Sequence, residues 1–141
     1  MKTCVVYISH TGNTKRLAEA ISDSLQVPLF DLATASVSEV ANFDLLVLGT
    51  PVTGSKPAPE VLAFLNRLPQ SSGKKAILFC TYAVFKGGTL KIMEKALSAK
   101  GYSTILQVSK KGVKPTVADF SDVLVDITRA VREQAQRAEN R

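Results

Sequence analysis

The sequence contains no tryptophan, one histidine and two cysteines. Cys4 and Cys80 each sit inside an apolar run, with no CxxC pair and no His/Cys spacing of the kind that holds zinc, which argues against a structural metal or a disulfide framework. Both read as small core hydrophobes, the usual role of a buried free cysteine. No apolar run approaches the length of about 18 residues needed to cross a bilayer as a helix. The opening "MKTCVVYISH" has one lysine and an apolar run too short for a secretory leader, so a cytoplasmic protein is expected. There is no internal repeat, low-complexity tract or linker, and 141 residues suffice to bury one core. One domain over residues 1–141 is expected.

Two phosphate-binding signatures are missing as well. "GTPVTGSKP" at 49–57 has serine before its lysine and prolines on both sides, so it cannot open a helix at the lysine as a Walker A loop must. An ATPase is disfavoured. A dinucleotide fingerprint needs three glycines after the first strand, and only Gly12 stands there.

Acidic residues are scarce in the second half. The net charge is +6; residues 1–70 carry five Lys/Arg against six Asp/Glu, and residues 71–141 thirteen against six. A one-sided basic surface points to an anionic partner. Arg129, Arg132 and Arg137, with Arg141 beyond, scatter around their predicted helix without interleaved aromatics, so a nucleic-acid face is not expected.

What is present is an alternation of short and long segments. The runs 2–8, 44–50, 75–82 and 103–109 are aliphatic and continuous, the pattern of strands buried on both faces. Residues 27–32, "VPLFDL", predict an edge strand where proline is tolerated. Helical periodicity covers 13–25, 58–68, 88–101 and 117–138, with Leu17, Ile21 and Leu25 on one face and Gly101 at a left-handed helix end. Residues 33–42 are too short and polar to assign. Strands separated by helices pair in parallel through right-handed crossovers, which predicts an α/β three-layer doubly wound sandwich around a five-stranded parallel sheet.

In such sheets ligands bind outside the carboxyl ends of the strands. The first strand ends there in "SHTGNT", residues 9–14, and a helix starts at the same point. Helix amides and dipole favour an anion, Gly12 permits close approach, and Ser9, Thr11, Asn13 and Thr14 add neutral donors. The composition suits a phosphate group. His10 occupies a variable position of this loop and has no evident catalytic partner.

"SHTGNT" after a first strand resembles the phosphate loop of the flavodoxin family, S/T-x-T-G-N-T, and the order and length of elements resemble short-chain flavodoxins over the whole chain. The resemblance implies a sheet ordered 2-1-3-4-5 and a non-covalently held FMN. It implies Ser9, His10, Thr11, Gly12, Asn13 and Thr14 at the phosphate. Two further loops would enclose the flavin ring: Thr50, Pro51, Val52, Thr53 and Gly54 in the first, and Thr81, Tyr82, Ala83, Phe85, Lys86, Gly87 and Gly88 in the second. No catalytic side chain or metal is implied. The expected role is a monomeric electron-transfer flavoprotein, and an acidic redox partner accounts for the basic balance. An FMN-dependent oxidoreductase acting on a molecule such as a quinone, or a non-catalytic flavodoxin-like module, are the alternatives.

Two departures from the family stand out. The first loop has no aromatic to stack on the ring, leaving Tyr82 and Phe85, with Phe85 favoured because it lies beyond the apolar run and the other face of the ring either open or covered by Val52. Flavodoxins are strongly acidic, whereas Lys56 and Lys86 lie in the ring loops here. A cation beside the ring would favour its reduced, anionic form by about 1 kcal/mol or more, and a less negative potential is expected.

Overall fold

A computed structural model describes residues 1–112 and 120–139. The strands are β1 (Thr3–Tyr7), β2 (Leu29–Asp31), β3 (Leu45–Thr53), β4 (Lys56–Pro57), β5 (Lys74–Tyr82) and β6 (Tyr102–Lys111). The helices are α1 (Asn13–Leu25), α2 (Val37–Val40), α3 (Pro59–Arg67), α4 (Thr89–Ser98) and α5 (Ser121–Glu139).

Five strands pair in parallel in the order β2-β1-β3-β5-β6, and the two-residue β4 folds back antiparallel onto the end of β3. With β4 set aside, this is the doubly wound order 2-1-3-4-5. The continuous apolar runs are explained by a core on each face. Cys4 and Val6 of β1, Leu46 and Leu48 of β3, and Ala76, Leu78 and Cys80 of β5 pack toward α3 and α4. The alternate residues Val5, Tyr7, Leu45, Val47, Ile77 and Phe79 pack toward α1 and α5. Each large apolar side chain among them contributes about 1.5–3 kcal/mol through removal from water. The pleat builds both cores, and parallel pairing brings the carboxyl ends of the three central strands to one rim.

Two elements differ from the sequence expectation. Residues 103–109 read as a strand buried on both faces, but β6 is the outermost strand and only Tyr102 in it is buried. Its register against β5 slips between Ala76 and Ile77, with Ile105 as the additional residue. The stretch 50–57, expected as a loop, continues β3 to Thr53 and turns back as β4. The reversal uses only Gly54 and Ser55, both at positive φ (56° and 66°), the requirement of a tight hairpin whose twist matches its strands. The unassigned 33–42 contains α2, capped where the Ser36 hydroxyl accepts from the Glu39 amide. The expected first residues of the last helix, 117–119, lie outside the described residues, as does Arg141.

Candidate functional site

The first loop is built by local hydrogen bonding. The Gly12 amide donates to Ser9 Oγ at 2.9 Å, and Gly12 itself caps α1 at φ 95° without a side chain. No acidic residue occupies the first turn of α1, so the positive dipole end of the helix favours an anion. Thr14, by contrast, points inward. It is buried, and its hydroxyl pairs with that of Thr81 on β5 at 2.8 Å, tying the helix start to the sheet.

A cation also belongs to this loop. The Arg16 guanidinium donates to Asn13 Oδ1, and its Nη1 lies 3.5 Å from where a Cβ on Gly12 would sit. Sequence reasoning counted only neutral donors here; the signal was an arginine one helical turn after the glycine, at a spacing that folds the side chain back over the cap. His10 of the same loop lies 3.0 Å from Glu60 Oε2 in the first turn of α3. That hydrogen bond, aided by Glu60's own backbone amide, holds the carboxyl below its ordinary value.

The second and third loops are fastened to each other. Thr50 is fully buried; its hydroxyl accepts from the Ala58 amide at 3.0 Å and donates to the Pro51 carbonyl at 2.8 Å, which sets the base of the hairpin. At the tip, the Ser55 carbonyl accepts from the Gly88 amide at 3.1 Å. Gly87 passes so close that a Cβ on it would stand 2.4 Å from Ser55 Cβ, and its φ of 57° is itself one that side chains disfavour. Thr89 opens α4 with its hydroxyl bonded to the Lys86 carbonyl at 2.8 Å.

Across from one another, these segments enclose a cleft of about 410 Å³, within the range of small-molecule sites. His10, Thr11 and Asn13 line it from the first loop, Pro51, Val52 and Thr53 from the second, and Thr81, Tyr82 and Ala83 from the third. Of the other expected residues, Ser9, Gly12, Thr14 and Thr50 do not line it; Ser9 and Gly12 are partly exposed beside it, and Thr14 and Thr50 are buried. Gly54 and Phe85 border an adjoining hollow of about 280 Å³, and Lys86, Gly87 and Gly88 are exposed on the outer rim. Gly112, which sequence reasoning missed, closes one side; its amide donates to the Tyr82 carbonyl at 3.1 Å, carrying β6 past the point where its aliphatic pattern ends. Larger hollows along α5 (about 460 Å³) and between α4 and β6 (about 630 Å³) run along helix flanks, away from the converging loops.

Among the described residues no group of His, Cys, Asp or Glu is arranged to hold a metal ion, and no helix is long and apolar enough to cross a membrane. Cys80 lies one residue below the cleft wall, but burial pushes its thiol up to about 11 and that of Cys4 to about 12. Neither is a nucleophile at neutral pH.

Comparison with known proteins agrees with this arrangement. The chain is 27% identical over 115 residues to an uncharacterized protein of Methanocaldococcus jannaschii, covering 79% of this chain and 76% of that protein. It is 29% identical over 105 residues to a flavodoxin of Clostridium beijerinckii, covering 69% and 76%. Its fold matches that of a short-chain flavodoxin associated with a non-canonical PDU bacterial microcompartment, with a TM-score of 0.80 at 22% identity over 96% of this chain and 99% of that one. The flavodoxin domain family matches residues 4–106, and with the strand order and the loop after β1 it makes this chain a member of the flavodoxin family.

Proposed function

We propose that the chain binds FMN in the cleft and carries electrons between redox partners. One observation carries this reading: the start of α1, capped by Gly12 without a side chain and with no acidic residue in its first turn, borders a cleft walled by two mutually fastened loops. FMN fits the donor set. The α1 amides, the Ser9 and Thr11 hydroxyls and the Asn13 amide would hold its phosphate, with the Arg16 guanidinium as the cation of the loop, and residues 51–53 and 81–83 would hold its ring. Thr14 contributes by anchoring the helix to Thr81. The flavin, when bound, supplies one- and two-electron chemistry. The protein binds it, orients it and sets its electrostatics.

Lys56 and Lys86 on the rim raise the potential relative to acidic family members and draw an acidic redox partner. The test is a titration of the purified chain with FMN and riboflavin. A yellow complex that prefers FMN is expected, and Thr11→Val should lower FMN affinity about tenfold while leaving riboflavin nearly unchanged. Failure to bind FMN, or equal losses for both ligands, removes the reading.

The absence of any aromatic among 51–53 favours a second reading, an FMN-dependent reductase. Among the described residues Tyr82 is the one Phe, Tyr or Trp side chain that lines the cleft, so the hairpin side, Pro51, Val52 and Thr53, offers a small substrate access to the ring. Sustained NAD(P)H oxidation with a quinone would select it over the carrier.

A further inference from the structure

Among the described residues four large apolar side chains are exposed, and two of them are adjacent: Val84 at 72% and Phe85 at 64%. Both lie on the 83–88 loop beside the cleft, and with Val52, Gly54, Ser55 and Ala83 they border the hollow of about 280 Å³. Paired apolar residues left in water at the mouth of a site mark a contact surface.

The fold brings cations from three segments to the neighbouring rim. The bond from the Gly88 amide to the Ser55 carbonyl brings Lys56 on β4 and Lys86 on the third loop to the same rim. Lys86 Nζ donates to Ser109 Oγ at 3.4 Å, which sets it against the end of β6. There Lys110 and Lys111 stand opposite Thr81 and Tyr82 in the strand register. Lys110 is paired with Asp122 at 3.4 Å. Among the described residues Lys56, Lys86 and Lys111 are in no ion pair. The stretches 50–58, 80–92 and 102–112 contain no Asp or Glu.

From this juxtaposition we infer that Val84 and Phe85, with Lys56, Lys86 and Lys111 on the adjoining segments, form the docking surface for an acidic protein partner with an apolar centre and a rim of carboxylates. Its purpose rests on the electron-carrier reading, since the surface adjoins the cleft proposed to hold FMN; the binding itself does not require the flavin. An apolar centre supplies affinity once water is expelled, and the surrounding charges select the sign of the partner and speed encounter.

An acidic [4Fe–4S] ferredoxin serves as probe and cytochrome c, which is basic, as control, with binding followed by calorimetry on the full chain before and after FMN addition. The ferredoxin should bind and the cytochrome should not, with affinity falling at least tenfold between low salt and about 0.3 M. Lys56→Glu, Lys86→Glu and Lys111→Glu together should abolish binding, and Phe85→Ser should weaken it about tenfold without changing the salt dependence. Circular dichroism checks that each variant folds. Wild-type affinity in the triple variant, no loss in Phe85→Ser, no binding of the ferredoxin, tighter binding of the cytochrome, or displacement of the ferredoxin by a single-stranded oligonucleotide overturns the inference. Ferredoxin binding by a chain that never takes up FMN leaves the surface standing and removes the carrier reading.

Discussion

Thr14 and Thr81 show what one residue's identity leaves open. In sequence the hydroxyl of Thr14 is one more donor beside a phosphate; in the fold it is spent 67 positions away, on a strand whose pairing partner only the sheet order reveals. Arg16 presents the reverse case, a residue passed over in sequence because its contact with Asn13 depends on the helix turning its side chain back over the cap. The two cysteines were legible, since a lone thiol inside an aliphatic strand pattern is placed to fill core volume and little else. Their burial predicts that neither Cys4 nor Cys80 reacts with iodoacetamide in the native protein at mildly alkaline pH, while both label at once in urea. Labelling of the folded chain, read by mass spectrometry, would contradict this.

At the scale of elements, aliphatic strands and amphipathic helices were readable because each has a period matched by burial, as the alternation of β1 between two cores demonstrates. The hairpin of β3 and β4 was not. Its turn is Gly-Ser, without the asparagine or aspartate that marks such turns, and Pro51 and Pro57 disguise the strands. Gly87→Ala should cost about 2 kcal/mol or more of stability, measured by denaturant unfolding, since the added methyl meets Ser55 at a positive φ. The joint between the first loop and α3 carries a pH dependence. Glu60's folded-state pKa lies below its unfolded value, so the stabilisation is complete above the unfolded pKa and disappears as pH falls through the folded one. Glu60→Gln should therefore lose stability relative to wild type at neutral pH, and the gap should close on acidification to about pH 3. Parallel unfolding midpoints across that range would refute it.

Over the whole molecule, the excess of Lys/Arg in residues 71–141 was plain in sequence, but its arrangement was not, because Lys56 from the other half joins Lys86 only through the contact between two loops. The layered architecture and strand order were legible in outline; the partial exposure of β6 was hidden, since an edge position is a property of the assembled sheet. The collected field acts on any charge that develops in the cleft. In FMN-loaded protein, Lys56→Glu with Lys86→Glu should make the flavin potential more negative, and added salt should shrink the difference between variant and wild type. A potential unmoved by the double substitution would mean that both ammonium groups are fully screened.

Because the carbonyl of Ser55 is held by the amide of Gly88, the second and third loops are inherited as a pair. A chimera that imports residues 50–57 from another flavodoxin without residues 83–89 would present a turn with no matching seat, whereas exchanging both together keeps the joint intact. Loop swapping in this chain is thus a two-segment operation.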